Sequence, residues 1–348
     1  MKTNIYPIFI PQIGCNYPCV YCHQGKITQK TSPPNLLLPQ DELSKVKNFI
    51  QKHRFQEKEI AFFGGSFTCL SRKEMLFLIN QILPFFDDLT FLRISTRPDA
   101  INEAQLQFLK TFKVKTIELG VQSFSEQELL ACKRGYTVET ALDACLLVKK
   151  LGFQLVVQLL IGMPNSLHLY STQQKSQNEI ESNDLRQCLP HSFFFSLPYI
   201  GTVKPHFVRL YPLVVIKDTE LETMYRENKY HPLTIEEAVH ICLSYLNECR
   251  KHAIPVIKIG LHSDIAQEDI IAGPFHKNFG EIVRGLDLAR QIIDETQQST
   301  DQQVFISLKT ASLLNAYNKY GFEYLVNHQA NLKITVDTKL LSEFLVTN

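Results

Sequence analysis

The sequence has no surplus of charge: 36 Lys and Arg stand against 35 Asp and Glu, a formal net charge of +1. That balance excludes a whole-protein field drawing the chain to nucleic acid or anionic lipid, and leaves only a local basic groove open. A membrane span is also missing. The N-terminal apolar run in MKTNIYPIFIPQIG is far shorter than the roughly 20 residues a spanning helix needs, and no small-residue cleavage site follows it. It reads as a first strand, and no membrane partner is expected; the compartment implied is the cytoplasm. A disulfide framework is absent too. Nine Cys is an odd number, and Cys69, Cys132, Cys145, Cys188, Cys242 and Cys249 are scattered as small buried hydrophobes are. Internal repeats are not evident.

What is present is a globular composition over 348 residues, enough for two domains or for one α/β barrel with an extension. Apolar runs of strand length at 5–11, 59–65, 91–96, 114–123, 153–162, 207–215 and 255–261 alternate with helical patterns near 40–53, 72–83, 102–112, 126–132, 137–151 and 234–252. Such alternation predicts βαβ units and a parallel sheet, curled into a barrel or doubly wound and open. Residues 165–192, rich in Gln, Ser and Asn, interrupt the crossover after the fifth strand and read as a solvated insertion. The pattern changes after residue 262. A loop at 272–280, a helix near 281–296, a strand at 304–308, a helix at 310–319, a short strand and a last strand at 333–337 predict a small α/β extension over 263–348, beyond a core of 1–262.

The densest chemical signal follows the first strand: Cys15-Asn-Tyr-Pro-Cys19-Val-Tyr-Cys22. Three thiolates on one tight loop converge on a centre that suits zinc or an iron–sulfur cluster. Structural zinc asks for four protein ligands in paired knuckles, and no second knuckle exists here; His23, adjacent to Cys22, is poorly placed to serve. Three ligands without a fourth suit a four-iron cluster with one iron open.

This Cys-x3-Cys-x2-Cys run, with Tyr21 before its last Cys, resembles the signature of the radical S-adenosylmethionine (SAM) superfamily. AFFGGSFT (61–68), STRPDAI (95–101), ELGVQSF (118–124), KRGYT (133–137) and GFQLVVQLLIGMP (152–164) extend the likeness in order. The set is similar to the radical SAM domain of the Elongator catalytic subunit and its shorter bacterial relatives; RLYPLVVIKDTELETMY (209–225) and IIAGPFHKNFGEIV (270–283) resemble the bacterial group. The resemblance implies an α/β fold, a partial (β/α)6 TIM-like barrel with the small C-terminal α/β extension. It implies a [4Fe–4S] cluster on Cys15, Cys19 and Cys22, SAM as second cofactor, and an electron donor of flavodoxin or ferredoxin type. SAM would be cleaved reductively, and the resulting radical would take a hydrogen atom from the substrate, in the relatives a tRNA nucleoside. A small molecule or peptide substrate, or a cluster-bearing protein that does not cleave SAM, are the alternatives. With fewer than about 100 residues after the barrel, no acetyltransferase domain is expected.

Site residues follow from the same matches. Gly64, Gly65, Ser66 and Thr68 form the glycine motif expected to meet the methionine amino group; a plain strand–helix turn would also use Gly-Gly. Ser95, Arg97 and Asp99 end the third strand, and Arg97 either clamps a carboxylate or pairs with Asp99. Gln122 and Ser123 end the fourth strand and are expected at the SAM ribose or carboxylate. Arg134 is a further carboxylate candidate. Gln158, polar within an apolar strand, suggests the barrel lumen. Ile161, Gly162 and Met163 are expected at the adenine, with core packing the alternative for Ile161 and Met163. Here the family's Gly-Leu-Pro-Gly reads Gly162-Met163-Pro164-Asn165. Arg209 and Tyr211 alternate on the sixth strand and share a face; Lys258 is placed similarly in the seventh. His276 is a loop residue, either a substrate contact or solvated.

Overall fold

The computed structural model describes residues 4–11, 13–15, 19–30, 33–165, 191–261, 265–296, 303–328, 332–340 and 342–347. The strands are β1 (Asn4–Phe9), β2 (Lys58–Phe63), β3 (Thr90–Thr96), β4 (Val114–Gln122), β5 (Gln154–Ile161), β6 (Phe207–Pro212), β7 (Val215–Ile216), β8 (Val256–Ile259), β9 (Ile270–Ala272), β10 (Gln303–Ile306), β11 (Lys333–Val336) and β12 (Phe344–Thr347). The helices are α1 (Gln24–Thr28), α2 (Gln40–Lys52), α3 (Arg72–Ile82), α4 (Glu103–Lys110), α5 (Glu126–Ala131), α6 (Val138–Lys150), α7 (His191–Val203), α8 (Glu220–Arg226), α9 (Ile235–Lys251), α10 (Phe279–Thr296), α11 (Leu308–Leu314) and α12 (Ala316–His328).

Seven parallel strands pair in the order β1-β2-β3-β4-β5-β6-β8 and curl into a half-barrel. Sequential order with a helix in almost every crossover is what right-handed βαβ units build. The helices start where the sequence provides caps: Ser71 and Thr234 form capping boxes with Glu74 and Glu237, and Asn102 and Thr137 accept from backbone N–H groups. Apolar faces of these helices and the outer side of the sheet make one large core, including Ile60, Leu92, Ile117, Leu155 and Leu210. Three register shifts interrupt the sheet, one of them between Val208 and Arg209 where β6 meets β8. The β3–β4 register shifts between Leu92 and Arg93, and the β4–β5 register shifts between Leu119 and Gln122.

The expectation for the seven sheet strands holds to within a few residues. The insertion reading for 165–192 lies, for 166–190, outside the described residues. The extension departs from expectation in two respects: a further strand, β12, follows the one expected to be last at 333–337, and where a short strand was expected between 319 and 333, α12 continues beyond a kink at Tyr317, Asn318 and Lys319 to His328. Gly321 lets α12 close on α10: a Cβ there would meet the Gly285 carbonyl oxygen at 3.0 Å. Leu325, one turn on, is buried in the extension's core. The packing of this face decides a segment whose Tyr, Phe and Val favour strand. β12 closes the three-stranded sheet β11-β10-β12. α10 joins two cores: Phe279, Ile282, Val283 and Leu286 pack on the barrel, and Leu288, Ala289, Ile292 and Ile293 pack under the extension's sheet. Among the described residues no helix is long and apolar enough to cross a membrane.

Candidate active site

The carboxyl ends of the seven parallel strands open into a pocket of about 420 Å³, the end of such sheets where ligands bind. One wall is the cysteine loop, with Cys15, Cys19, Tyr21 and Cys22, followed by Gln24, Ile27 and Thr28 of α1. Adjoining it are Gly64, Gly65 and Ser66 after β2, and Ser95 and Arg97 from the end of β3. Gln122, Gln158, Arg209 and Tyr211 form the floor, and Leu160, Leu213 and Val214 an apolar flank.

The glycine motif holds the cysteine loop in place. A Cβ on Gly65 would lie 2.3 Å from the carbonyl oxygen of Ile13 and 2.8 Å from that of Ile10. The Ser66 amide donates to Ile13 at 2.9 Å, and the thiol of Cys15 is 3.5 Å from the Ser66 hydroxyl. The second glycine is therefore required by close approach of the cysteine loop itself, a role the strand–turn reading did not include.

Arg134 binds the loop from the other side. Its Nη1 donates to Cys19 Sγ at 2.8 Å and to the Tyr21 hydroxyl at 3.3 Å. Its Nη2 donates to the Gly120 carbonyl at 2.8 Å, and both Nε and Nη2 reach the Tyr136 hydroxyl at 3.0 Å. The β4 bulge makes this possible. Two ladder carbonyls, Gly120 and Val121, are freed there and accept from Tyr136 at 3.0 and 2.8 Å. The same bulge holds Gln122 at φ +68° and turns its amide into the pocket, where Gln158 Nε2 donates to it at 3.3 Å. Arg97 takes the structural alternative: it grips Asp99 through two 2.9 Å bonds, donates to the Arg134 carbonyl, and brings Nη1 to 4.0 Å from Cys19. Partial burial, and then the neighbouring thiols of Cys19 and Cys15, push the pKa of Cys22 up to about 12. Burial likewise raises Tyr136 to about 12, against the pull of Arg134.

Beneath the pocket lies a buried ionic network. Arg93 donates to Glu59 at 2.6 and 2.9 Å and to Glu118 at 3.4 Å. Thr116 also donates to Glu59. Arg209 pairs with Glu118 at 3.4 Å and donates to the Tyr211 hydroxyl at 3.1 Å. Two carboxylates offset two guanidinium groups, as burial demands. Glu59, Arg93 and Glu118 were not among the expected site residues. A charged residue inside an apolar strand run, the signal that marked Gln158, marks all three.

Seven expected residues do not line the pocket. Thr68 turns to the Thr96 hydroxyl at 2.6 Å. Ser123 donates to Glu128 and lies 3.3 Å from Ser196, inside the fold. Ile161 belongs to the main core, and Met163 packs in the cluster of Tyr21, Cys132 and Leu213. Gly162 presents its carbonyl to Tyr230 at 2.7 Å. Lys258 sits opposite Arg209 in register on β8 without reaching the cavity wall. His276 packs edge-on against Tyr317, 5.3 Å between centroids, at the junction with α12.

The donor set fits an iron–sulfur cluster. Three thiols line one wall of the pocket, and soft thiolates suit an iron–sulfur cluster. The adjoining wall, with backbone at Gly64 and Gly65 and polar groups on Ser66, Gln122 and Gln158, fits a small polar molecule laid against a cluster held there.

Comparison with known proteins agrees with this chemistry. The sequence model of the radical SAM superfamily matches residues 9–167, and that of the radical SAM C-terminal domain matches residues 205–286. A tRNA uridine(34) acetyltransferase of Methanocaldococcus jannaschii is 31% identical over 192 residues, 55% of this chain and 31% of the relative. Elongator complex protein 3 of Mus musculus is 27% identical over 150 residues, 43% of this chain and 24% of the relative. The chain thus spans about a third or less of the length of these curated relatives. Among solved structures, the archaeal Methanocaldococcus infernus Elp3 with an N-terminal deletion superposes with a TM-score of 0.58 at 20% identity, over 86% of this chain and 65% of that one. The chain belongs to the radical SAM superfamily, whose members hold a [4Fe–4S] cluster and SAM.

Proposed function

We propose that this radical SAM protein is an enzyme that cleaves SAM reductively and abstracts a hydrogen atom from a nucleoside in tRNA. The observation that carries the reading is that three thiols, the glycine motif and the Gln122–Gln158 pair line one pocket at the carboxyl ends of the sheet. Cys15, Cys19 and Cys22 would hold the cluster, and Arg134 orients Cys19 through its 2.8 Å bond. The backbone at Gly64 and Gly65, the Ser66 hydroxyl and the Gln122–Gln158 amide pair would bind SAM. Bound together, the two cofactors supply reductive cleavage of a sulfonium and hence a carbon radical that takes a hydrogen atom. Leu160, Leu213 and Val214 exclude water from that radical, and Arg209 and Tyr211 orient polar groups at the floor.

The tRNA substrate follows from the relative that modifies tRNA uridine. A net charge of +1 also suits a substrate other than nucleic acid, so both classes enter the test. An external flavodoxin- or ferredoxin-type donor would supply the electron, in the cytoplasm. The test is anaerobic reconstitution with iron and sulfide, reduction with SAM, and assay for 5′-deoxyadenosine. Product that vanishes in Cys15→Ala, Cys19→Ala and Cys22→Ala and rises with tRNA establishes the reading. A cluster without product in the presence of tRNA rejects it.

A further inference from the structure

The pocket's second wall begins directly after the third cysteine. α1 lines the cavity through Gln24, Ile27 and Thr28, while β7 and the residues before it line the neighbouring side through Leu213, Val214 and Ile216. α1 is only five residues long and buries none of them fully. A single turn of that length has little stability of its own, so tertiary contacts must hold it.

The contact is ionic. Lys26, on the outer face of α1, places Nζ 2.7 Å from Asp218 and 3.0 Å from Asp269. Asp218 lies in the turn between β7 and α8, and Asp269 immediately precedes β9. Both acceptors are fixed. The Asp218 amide donates to Glu222 at 2.7 Å, and the Asp269 carbonyl accepts from the Lys217 amide at 2.9 Å. Gln29 Nε2 adds a 3.4 Å bond to Asp269. The side chain of Lys26 keeps only 18% of its surface exposed although it sits on the outside.

We infer that Lys26 is a positioning residue that clamps α1 onto the β7–α8 turn and β9, and thereby holds the cofactor pocket closed beside Cys22. Beside the Arg134 contacts at its middle, the cysteine loop is then held at its two ends by anchors of different kind. On the N-terminal side, the approach of Ile13 to Gly65 is steric and insensitive to salt. On the C-terminal side the clamp is electrostatic, between groups near the surface, and screened by salt. The inference deepens the cofactor-pocket reading, and its first test needs neither cofactor.

In the cluster-free chain, iodoacetamide alkylation is followed at Cys22 and Cys15 by peptide mass mapping. Lys26→Met raises the rate at Cys22 about two- to fivefold, leaves Cys15 unchanged, and keeps the thermal midpoint of the parent. In the parent, the Cys22 rate climbs toward the variant's between about 0.05 and 1 M KCl, while the variant's rate stays flat. The exchanged pair Lys26→Asp with Asp269→Lys returns Cys22 to the parent rate. In the reconstituted chain, Lys26→Met weakens SAM binding by a similar factor. An unchanged Cys22 rate in Lys26→Met, equal rises at Cys15 and Cys22 with a lowered midpoint, or an exchanged pair as open as Lys26→Met would each overturn the clamp. A positive alkylation result with no SAM binding at all would instead reject the cofactor assignment and leave the clamp standing.

Discussion

The guanidinium of Arg134 lies 2.8 Å from the thiol of Cys19 and at the same time satisfies the Gly120 carbonyl exposed by the β4 bulge. The cysteine proposed as a cluster ligand is thereby tied to the sheet through one buried side chain.

Removing that tie has two consequences. Arg134→Met takes the guanidinium donors from the Tyr136 and Tyr21 hydroxyls, while the Gly120 carbonyl keeps its bond from Tyr136, and lowers stability by about 2–4 kcal/mol, counting roughly 1–2 for each buried hydroxyl that loses its donor. It also removes a positive charge and a hydrogen bond from a ligand sulfur, so the reduction potential of the reconstituted cluster falls. Arg134→Lys retains the charge and keeps the potential closer to that of the parent. Urea unfolding and redox titration followed by electron paramagnetic resonance check the two effects.

Gly65→Ala places a methyl group 2.3 Å from a backbone carbonyl that cannot rotate away. The cysteine loop must retreat, at a cost of about 3 kcal/mol, and iron incorporation on reconstitution drops sharply. Ser66→Ala, which removes a 3.5 Å contact to Cys15 and a bond to Cys69 but leaves the backbone in place, incorporates iron normally. Iron and sulfide content per chain distinguishes them.

Glu118→Gln breaks the charge balance beneath the pocket. Arg93 and Arg209 then face Glu59 alone, and the uncompensated guanidinium costs about 3–5 kcal/mol. The double change Glu118→Gln with Arg209→Met recovers part of that loss. Denaturant midpoints of the parent and of the single and double variants measure the coupling.

The junction between barrel and extension is sensitive to pH. His240 of α9 accepts from Arg290 at 3.1 Å and lies 3.5 Å from the Tyr320 hydroxyl. Burial, and then Arg290, depress its pKa from 6.5 to about 4. The folded state therefore resists a proton that the unfolded chain accepts. Stability is complete above about pH 6.5 and falls as pH drops toward 4, with about 2 kcal/mol lost by pH 5. His240→Gln, which can still accept from Arg290, loses less between pH 7.5 and pH 5 in urea titrations.

The sheet was legible because its strands are apolar runs that any packing arrangement must bury, and the cysteine loop because three soft ligands at short spacing have few other uses. The pocket-lining positions of Arg209 and Tyr211 were legible by alternation along their strand, and that of Gln158 as a polar residue within an apolar run. Thr68 and Ser123 were misplaced because a hydroxyl at a strand end serves a neighbouring side chain as readily as a ligand, and the sequence does not state which way the chain turns there. Glu59, Arg93 and Glu118 were passed over because a charge in a strand suggests solvent; only the register of three neighbouring strands shows that the charges neutralise one another. α12 was obscured by residues with strand propensity whose fate depends on one close helix crossing at Gly321.

α10 places its first half in the barrel core and its second half in the extension core. Its first turn abuts β8: a Cβ on Gly280 would meet the Ile259 carbonyl at 2.8 Å. Whatever grips the C-terminal sheet therefore pulls directly on the last strand of the half-barrel, beside the Arg209–Lys258 pairing that edges the pocket floor. The extension is in mechanical terms a handle, and a cargo seated on it would change the strain on the floor without touching it.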